Sequence, residues 1–341
     1  MDMLRNKMII NKLNNRGGVI LDYNFTQLLK GLACLMIALH HYSQYVLHEG
    51  LSNSWFYWVF STQGGYAGVA FFFFMSGYGL MESEAKHHLN LLQFATKRFW
   101  KIYKAVLLIN FLTYGSILVW RYFQTGVWDM VDWNCLISIT MLDQNLWFVA
   151  ILLYCYLGYA ICSQVMQPKK RNIAFLIGQI LVLGYLIVRK EALNHLVSIS
   201  FFTVGIYVSL YKDITSKILK SYWTWAVLLL LTVTIIVWTY TAHSAMPVHA
   251  FFNVLMMAAF LWIVSKYEIR LNYVSLLGYI SFPIYLVHGK IIMLSLGLGH
   301  LAPITLFLGL VMYLGFLYQK TMGLIDLSKL RNCFENCKVK I

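Results

Sequence analysis

Ten long apolar segments, each bounded by polar residues, follow one another along most of this chain. A helix that crosses a bilayer needs about 20 mostly apolar residues, and a water-soluble domain of this length could not bury ten such segments. Hydrophobic residues make up 60% of the 341 residues. The segments lie at about 27–47, 65–82, 102–122, 146–166, 173–188, 196–211, 223–241, 248–265, 273–294 and 302–321. The sequence therefore predicts an all-α fold, a polytopic membrane helix bundle of about ten transmembrane helices.

The basic residues predict the orientation of this bundle. The net charge is +14, with 27 Lys and Arg against 13 Asp and Glu. When the N-terminus is placed in the cytoplasm and the spans alternate, 22 of the 27 cations fall on the cytoplasmic side. Membrane proteins concentrate Lys and Arg in their cytoplasmic loops, so both termini are predicted to be cytoplasmic. The cations are spread over six loops and tails, which argues against nucleic acid as a partner.

Composition divides the chain into three parts: a cytoplasmic segment 1–24, a transmembrane domain 25–322 and a basic cytoplasmic tail 323–341. The first apolar stretch lies well inside the chain and has no small-residue cleavage site, so we do not expect a signal peptide. Cys333 and Cys337 in the tail lack accompanying ligands, and we expect no metal.

The first span contains Lys30 near its cytoplasmic end and the pair His40 and His41 near its outer end. Lys30 and His41 are eleven residues apart, which in a helix places them on one face about 16 Å apart along the axis. Placing an ionisable residue inside a membrane costs free energy, so such residues mark functional sites. The alternative is that Lys30 reaches the headgroups and that the histidines lie at the outer interface.

The second span is rich in small residues, which allow helices to approach closely. Ser76 in this span is a possible nucleophile, but no base lies near it in sequence, and a packing or hydrogen-bonding role is preferred. A predicted cytoplasmic loop, 83–101, follows it. Its end carries Lys97, Arg98 and Lys101 among aromatic residues, which is typical of a lipid-anchored segment or of a site for an anionic cofactor.

The ninth predicted span, 273–294, places Tyr285 and His288 three residues apart, on neighbouring positions of one helix face. Pro283 is expected to kink this span. A hydrogen-bonded structural histidine and a catalytic one are both consistent with the position of His288.

Segments in order along the chain resemble the acyltransferase-3 family of membrane-bound acyltransferases. Lys30 and His41 match its Arg-x10-His motif, with Lys in place of Arg, which keeps the charge but loses the planar fork. GVAFFFFMSGYGL resembles its G-V-x-x-F-F-x-x-S-G-[FY] segment and contains Ser76, and KRFWKIY resembles its R-x-x-R-[IL]-x-P stretch at Arg98 and Lys101. LWF, which contains Trp147, and ISFPIYLVH resemble two later signatures.

The resemblance implies an acyl-CoA-dependent O-acyltransferase of the stand-alone type in the cell membrane. It would move an acyl group, most often acetyl, from cytoplasmic acyl-CoA (acetyl-CoA as donor substrate) to a hydroxyl of a cell-surface carbohydrate or its lipid-linked precursor. His41 would be the general base, because an imidazole with the usual pKa of about 6.5 is neutral at physiological pH. The residues assigned to acyl-CoA are Lys30, Lys97, Arg98 and Lys101. The residues assigned to the pocket or its support are His40, Ser76, Trp147, Tyr285 and His288.

The sequence is also compatible with three alternatives. The first is passage of the acyl group through Ser76 or His41 as a covalent relay instead of direct transfer. The second is a transporter or flippase of a lipid-linked sugar, although the repeated halves of many transporters are not visible in the sequence. The third is a sensor in which the histidines act as a pH switch.

Overall fold

Helices form every regular element that the structure, a computed structural model, describes. This confirms the all-helical bundle that the apolar segments predicted. The described residues are 21, 23–87, 90–127, 133, 147–166, 168–188, 193–222, 224–230, 254–263, 272–297 and 303–321.

The helices are numbered in chain order. They are α1 Tyr23–His48, α2 Trp55–Val59, α3 Gly65–His87, α4 Leu91–Thr125, α5 Trp147–Val165, α6 Pro168–Val188, α7 Leu193–Leu210, α8 Lys212–Lys220, α9 Asn272–Tyr279, α10 Ser281–Gly297 and α11 Ile304–Thr321. A π-helical turn, Phe60–Gly64, connects α2 to α3. Residues 224–230 and 254–263 are helical as well.

Two helical stretches in the described ranges, Arg98–Thr125 and Trp147–Gln164, are long and apolar enough to cross a membrane. They coincide with the third and fourth predicted spans. Shorter apolar helices, Ser198–Leu210, Val254–Ile263 and Ile304–Lys320, overlap three others. Most of the predicted span 223–241 and both ends of the predicted span 248–265 lie outside the described residues, and so do nearly all of segment 1–24 and the tail 323–341. The count of ten spans stays a prediction.

The predicted loop 83–101 was wrong over most of its length, because α3 continues to His87 and α4 begins at Leu91 and runs without a break to Thr125. The side-chain oxygen of Asn90 accepts hydrogen bonds from the N–H groups of Leu92 and Gln93, at 3.1 and 3.2 Å. Such a cap satisfies donors that the first turn of a helix leaves without partners. The basic segment is therefore an early part of the same helix that enters the apolar region.

The ninth predicted span is two helices, because α9 ends at Tyr279 and α10 begins at Ser281. Proline has no N–H to donate to the carbonyl four residues earlier, which for Pro283 is that of Tyr279. At this break the hydroxyl of Ser281 donates to the carbonyl oxygen of Gly278, at 2.8 Å. The kink expected from Pro283 is thus an interruption three residues before it.

Glycines allow α3 to pack closely against two neighbouring helices. A methyl group added at Gly77 would overlap the carbonyl oxygen of Phe202 in α7, and one added at Gly205 would overlap that of Phe74 in α3. On its other side, Gly68 of α3 lies against Ala33 of α1. These contacts agree with the packing interpretation of the small residues, since only glycine lets two backbones approach so closely.

Replacing Gly77 with alanine is therefore expected to lower the melting temperature of the purified protein by several degrees. The added methyl must push α3 away from α7, and overpacking of this kind costs about 1–3 kcal/mol. Gly79 lies two residues further along the same helix and has nothing within 4 Å of the position that a Cβ would occupy. Gly79→Ala is the matched control. Equal melting temperatures for the two variants, measured in detergent, would contradict the close packing.

Ion pairs join the end of α3 to α6 and α8. The guanidinium of Arg171 donates two hydrogen bonds to the carboxylate of Glu84, at 2.8 and 3.0 Å, and lies 4.8 Å from the ring centre of Tyr159. Glu82 accepts a hydrogen bond from Ser209 at 2.6 Å and pairs with Lys212. Arg171 is only 4% exposed, so this part of the bundle contains a buried charge that depends on its partner.

Arg171→Met is expected to destabilise the protein by about 2–3 kcal/mol, which is below the usual 3–5 kcal/mol for a broken buried pair because Glu84 is partly exposed. The double variant Arg171→Met with Glu84→Leu removes both charges and should recover much of the lost melting temperature. A double variant no more stable than the single one would show that packing of Arg171, and not its pairing, stabilises this end of α3.

Candidate active site

Three histidine rings from two helices meet at one place. His40 and His41 are consecutive in α1, and their ring centres are 4.9 Å apart in an edge-to-face arrangement. The ring of His288, in α10, stacks on that of His41 with centres 5.2 Å apart and planes inclined by 27°. The sequence predicted that both helices carry histidines near their outer ends. The structure adds that His41 and His288 are in contact.

Each of the three rings has its Nδ1 atom next to an oxygen that can only accept a hydrogen bond. The partners are the side-chain oxygen of Gln44 for His41, at 3.2 Å, and the carbonyl oxygens of Phe60 for His40, at 2.9 Å, and of Ile284 for His288, at 3.3 Å. A backbone carbonyl cannot donate, so Nδ1 of His40 and Nδ1 of His288 carry the proton, while for His41 the amide oxygen of Gln44 beside Nδ1, in place of the amide NH2, favours the same tautomer. In a neutral ring this leaves Nε2 as an acceptor of protons.

His40 connects α1 to the π-helical turn. Its ring is buried, donates to the Phe60 carbonyl within that turn, and lies 5.6 Å from the ring of Tyr66. A methyl group at Gly65 would overlap this ring. His40 therefore joins α1 to this turn, and π-helical turns of this kind are frequent at functional sites.

Aromatic side chains from three helices form the wall behind His288. Tyr285, one turn earlier in α10, lies 5.6 Å from the His288 ring, and Phe148 of α5 lies 5.3 Å from Tyr285. Phe73 of α3 packs edge-to-face on Phe148 at 5.0 Å. Trp147, half-buried, packs against the same core. The family signatures that contain Trp147, Tyr285 and His288 thus meet in space.

Ser76 is not part of this cluster in the described structure. Its side chain is half-buried in α3, and no hydrogen bond joins it to any of the three histidine rings. A serine nucleophile needs a base within about 3 Å. The geometry therefore favours a supporting role for Ser76.

Cations gather near the other end of α1. Arg98 and Lys101, from α4, lie close enough to half-buried Lys30 for their charges to act on it. Arg98 also lies 5.9 Å from the ring centre of Tyr156. Lys97 is in the same helical turn, but its side chain lies outside the part of the chain that the structure describes. Residues from two distant parts of the chain thus form one basic cluster, which we call the cationic cluster (Lys30, Arg98 and Lys101).

The helix α1 connects the cationic cluster to the histidines. It is continuous from Tyr23 to His48, so the predicted helical spacing of Lys30 and His41 applies. Eleven residues correspond to three turns plus about 20°, or about 16 Å along the axis. A long, thin molecule with an anionic end could therefore contact both groups at once.

Sequence reasoning missed Gln44 as the partner of His41. The signal was present, because residues three apart in a helix are neighbours on its surface. The contact between His41 and His288 had no such signal, since the two residues are far apart in the chain and nothing local specifies which helices pair.

The described helices thus bring a histidine cluster, from α1 and α10, and the cationic cluster, from α1 and α4, to separate parts of α1. A family model described as "Acyltransferase domain" matches residues 23–318. The chain therefore belongs to the acyltransferase-3 family, and it is an acyltransferase of a membrane-associated family. No curated protein and no solved structure matches this sequence.

Proposed function

We propose that this protein transfers an acetyl group from cytoplasmic acetyl-CoA to a hydroxyl of a cell-surface carbohydrate or its lipid-linked precursor. It does so as a multi-pass protein of the cell membrane, with ten spans and both termini in the cytoplasm. The observation that carries the proposal is that α1 carries Lys30 of the cationic cluster toward one end and His41, stacked on His288, toward the other. Family membership supports the transfer of an acyl group.

The donor is assigned to the cationic cluster and Lys97 because CoA is a polyanion. Arg and Lys form charge-assisted hydrogen bonds with phosphate oxygens, and Arg can do so with two parallel bonds. The pantetheine arm of CoA is long and thin, and it would run along α1 from the cluster toward the histidines. The thioester then reaches His41, while the phosphates stay at the cytoplasmic surface.

His41 acts as the general base in this proposal. Its Nε2 takes the proton of the acceptor hydroxyl while that oxygen attacks the thioester carbonyl carbon. The new C–O bond forms, the C–S bond breaks, and the CoA thiolate takes the proton back from the imidazolium. The acyl group moves directly between substrates that enter from opposite sides. No acyl-enzyme is required, and the position of Ser76 gives a serine relay no support.

The test is consumption of acetyl-CoA by the purified protein in detergent, followed through release of the CoA thiol. We expect turnover that rises when extracts of surface glycans are added as acceptor. A transporter of a lipid-linked sugar, the alternative function, would neither bind nor consume acetyl-CoA. Absence of both binding and turnover would therefore contradict the proposed function and favour the transporter.

A further inference from the structure

The Gln44 side chain holds the imidazole of His41 from one side. Gln44 follows His41 by three residues in α1, and its amide oxygen lies 3.2 Å from Nδ1 of the His41 ring. The His288 ring stacks against a face of the same imidazole. These two neighbours leave Nε2 as the ring atom that can accept a proton from outside.

His41 differs in this respect from the other two histidines of the cluster. Nδ1 of His40 and Nδ1 of His288 both donate to backbone carbonyl oxygens, those of Phe60 and Ile284. A backbone carbonyl stays in place whatever the side chains are. Within the described residues, His41 is thus the ring of this cluster whose tautomer depends on another side chain.

We propose that Gln44 is a positioning residue that holds His41 in the tautomer with the proton on Nδ1, so that the Nε2 lone pair faces the acceptor hydroxyl. This inference rests on the proposed function, in which His41 is the base. Gln44 touches neither the donor nor the reacting atoms and acts through His41. Such partners orient an imidazole and fix which nitrogen is protonated.

Three groups determine how a new charge at position 44 would act on His41. The titratable groups that face its ring among the described residues are His40 in α1 and His288 in α10, and Tyr285 lies behind His288. The carboxylate nearest in sequence, that of Glu49, is at the exposed end of α1 and bonds to His48 at 3.1 Å. Among the described residues, a glutamate at position 44 would therefore be the first carboxylate beside the His41 ring.

The kinetic test compares Gln44→Leu with Gln44→Glu. Leucine removes the acceptor, and we expect kcat to fall at least about tenfold, a part of the 10²–10⁴-fold that a histidine base supplies, while KM for acetyl-CoA is unchanged. Glutamate keeps an acceptor of the same length and should restore most of kcat at pH 8. Its charge stabilises the imidazolium, so the acid limb of the pH–rate profile should move to higher pH. Gln164→Leu, at an exposed position of α5, is the matched control.

A spectroscopic test separates this inference from the proposed function. Ring ¹⁵N chemical shifts report the protonated nitrogen directly, and the His41 signals are the ones that disappear in His41→Ala. We expect Nδ1–H in the wild-type protein and a mixture of tautomers in Gln44→Leu, whether or not the protein consumes acetyl-CoA. An unchanged tautomer in Gln44→Leu, or an unchanged kcat in an active enzyme, would overturn the role of Gln44. If the wild-type protein has no acyl-transfer activity, the proposed function is overturned instead.

Discussion

His41→Ala is expected to reduce kcat for acyl transfer by about 10²–10⁴-fold, which is the usual contribution of a general base. The protein should still reach the membrane and elute from size-exclusion chromatography as the wild type does. His41 is only half-buried, and the glycine-mediated contacts of α1 with α3 and α9 do not involve its side chain. The measurement is transfer from labelled acetyl-CoA at saturating donor concentration.

His48→Ala is the matched control for this prediction. His48 lies two turns beyond His41 in the same helix, is exposed, and pairs with Glu49. It is the same residue type in the same helix without contact to His288, and its removal should leave kcat unchanged. Transfer at the wild-type rate by His41→Ala would refute the assignment of the base, and equal losses in both variants would indicate a general effect of disturbing α1.

The double variant Arg98→Ala with Lys101→Ala is expected to raise KM for acetyl-CoA by about 10²-fold. A hydrogen bond to a charged group contributes about 1.5–3 kcal/mol, and each 1.4 kcal/mol is tenfold in affinity. The rate at saturating donor should be nearly unchanged, because Lys30, which these two cations approach, lies about 16 Å along α1 from His41. Steady-state kinetics in acetyl-CoA separates the two effects.

Lys217 and Lys220, both exposed in α8, provide a control with the same change of charge. Their replacement by alanine should leave KM unchanged. Added salt should raise KM for the wild type more than for the double variant, because it screens only charges that are still present. If the double variant binds acetyl-CoA as the wild type does, the cationic cluster is a lipid anchor, which was the alternative interpretation of its sequence.

Local sequence signals predicted the parts of the site that lie within one helix. Lys30 and His41 were placed on one face of the first span by helical spacing alone, and α1 is continuous across both. Pro283 predicted a disturbance of the ninth span, and the chain is interrupted at Ile280. In each case the physical cause acts within about three helical turns of one continuous segment, which is why the sequence was sufficient.

Contacts between helices could not be predicted from local sequence signals. The stacking of His41 on His288 and the approach of Arg98 and Lys101 to Lys30 depend on which helices pack together. The start of α4 was also misplaced, because the polar composition of 83–101 was interpreted as a loop. A polar segment with a good cap and no Gly or Pro is equally compatible with a helix that emerges from the membrane.

The most direct test of the central claim uses sealed inside-out membrane vesicles supplied with acetyl-CoA that is labelled in the acetyl group. The cationic cluster is then on the accessible side and the carbohydrate acceptor is enclosed. The proposed function predicts label in alkali-labile esters on the enclosed glycans, with wild-type protein and with His48→Ala but not with His41→Ala. Enclosed glycans equally free of label with wild-type protein and with His41→Ala would contradict it.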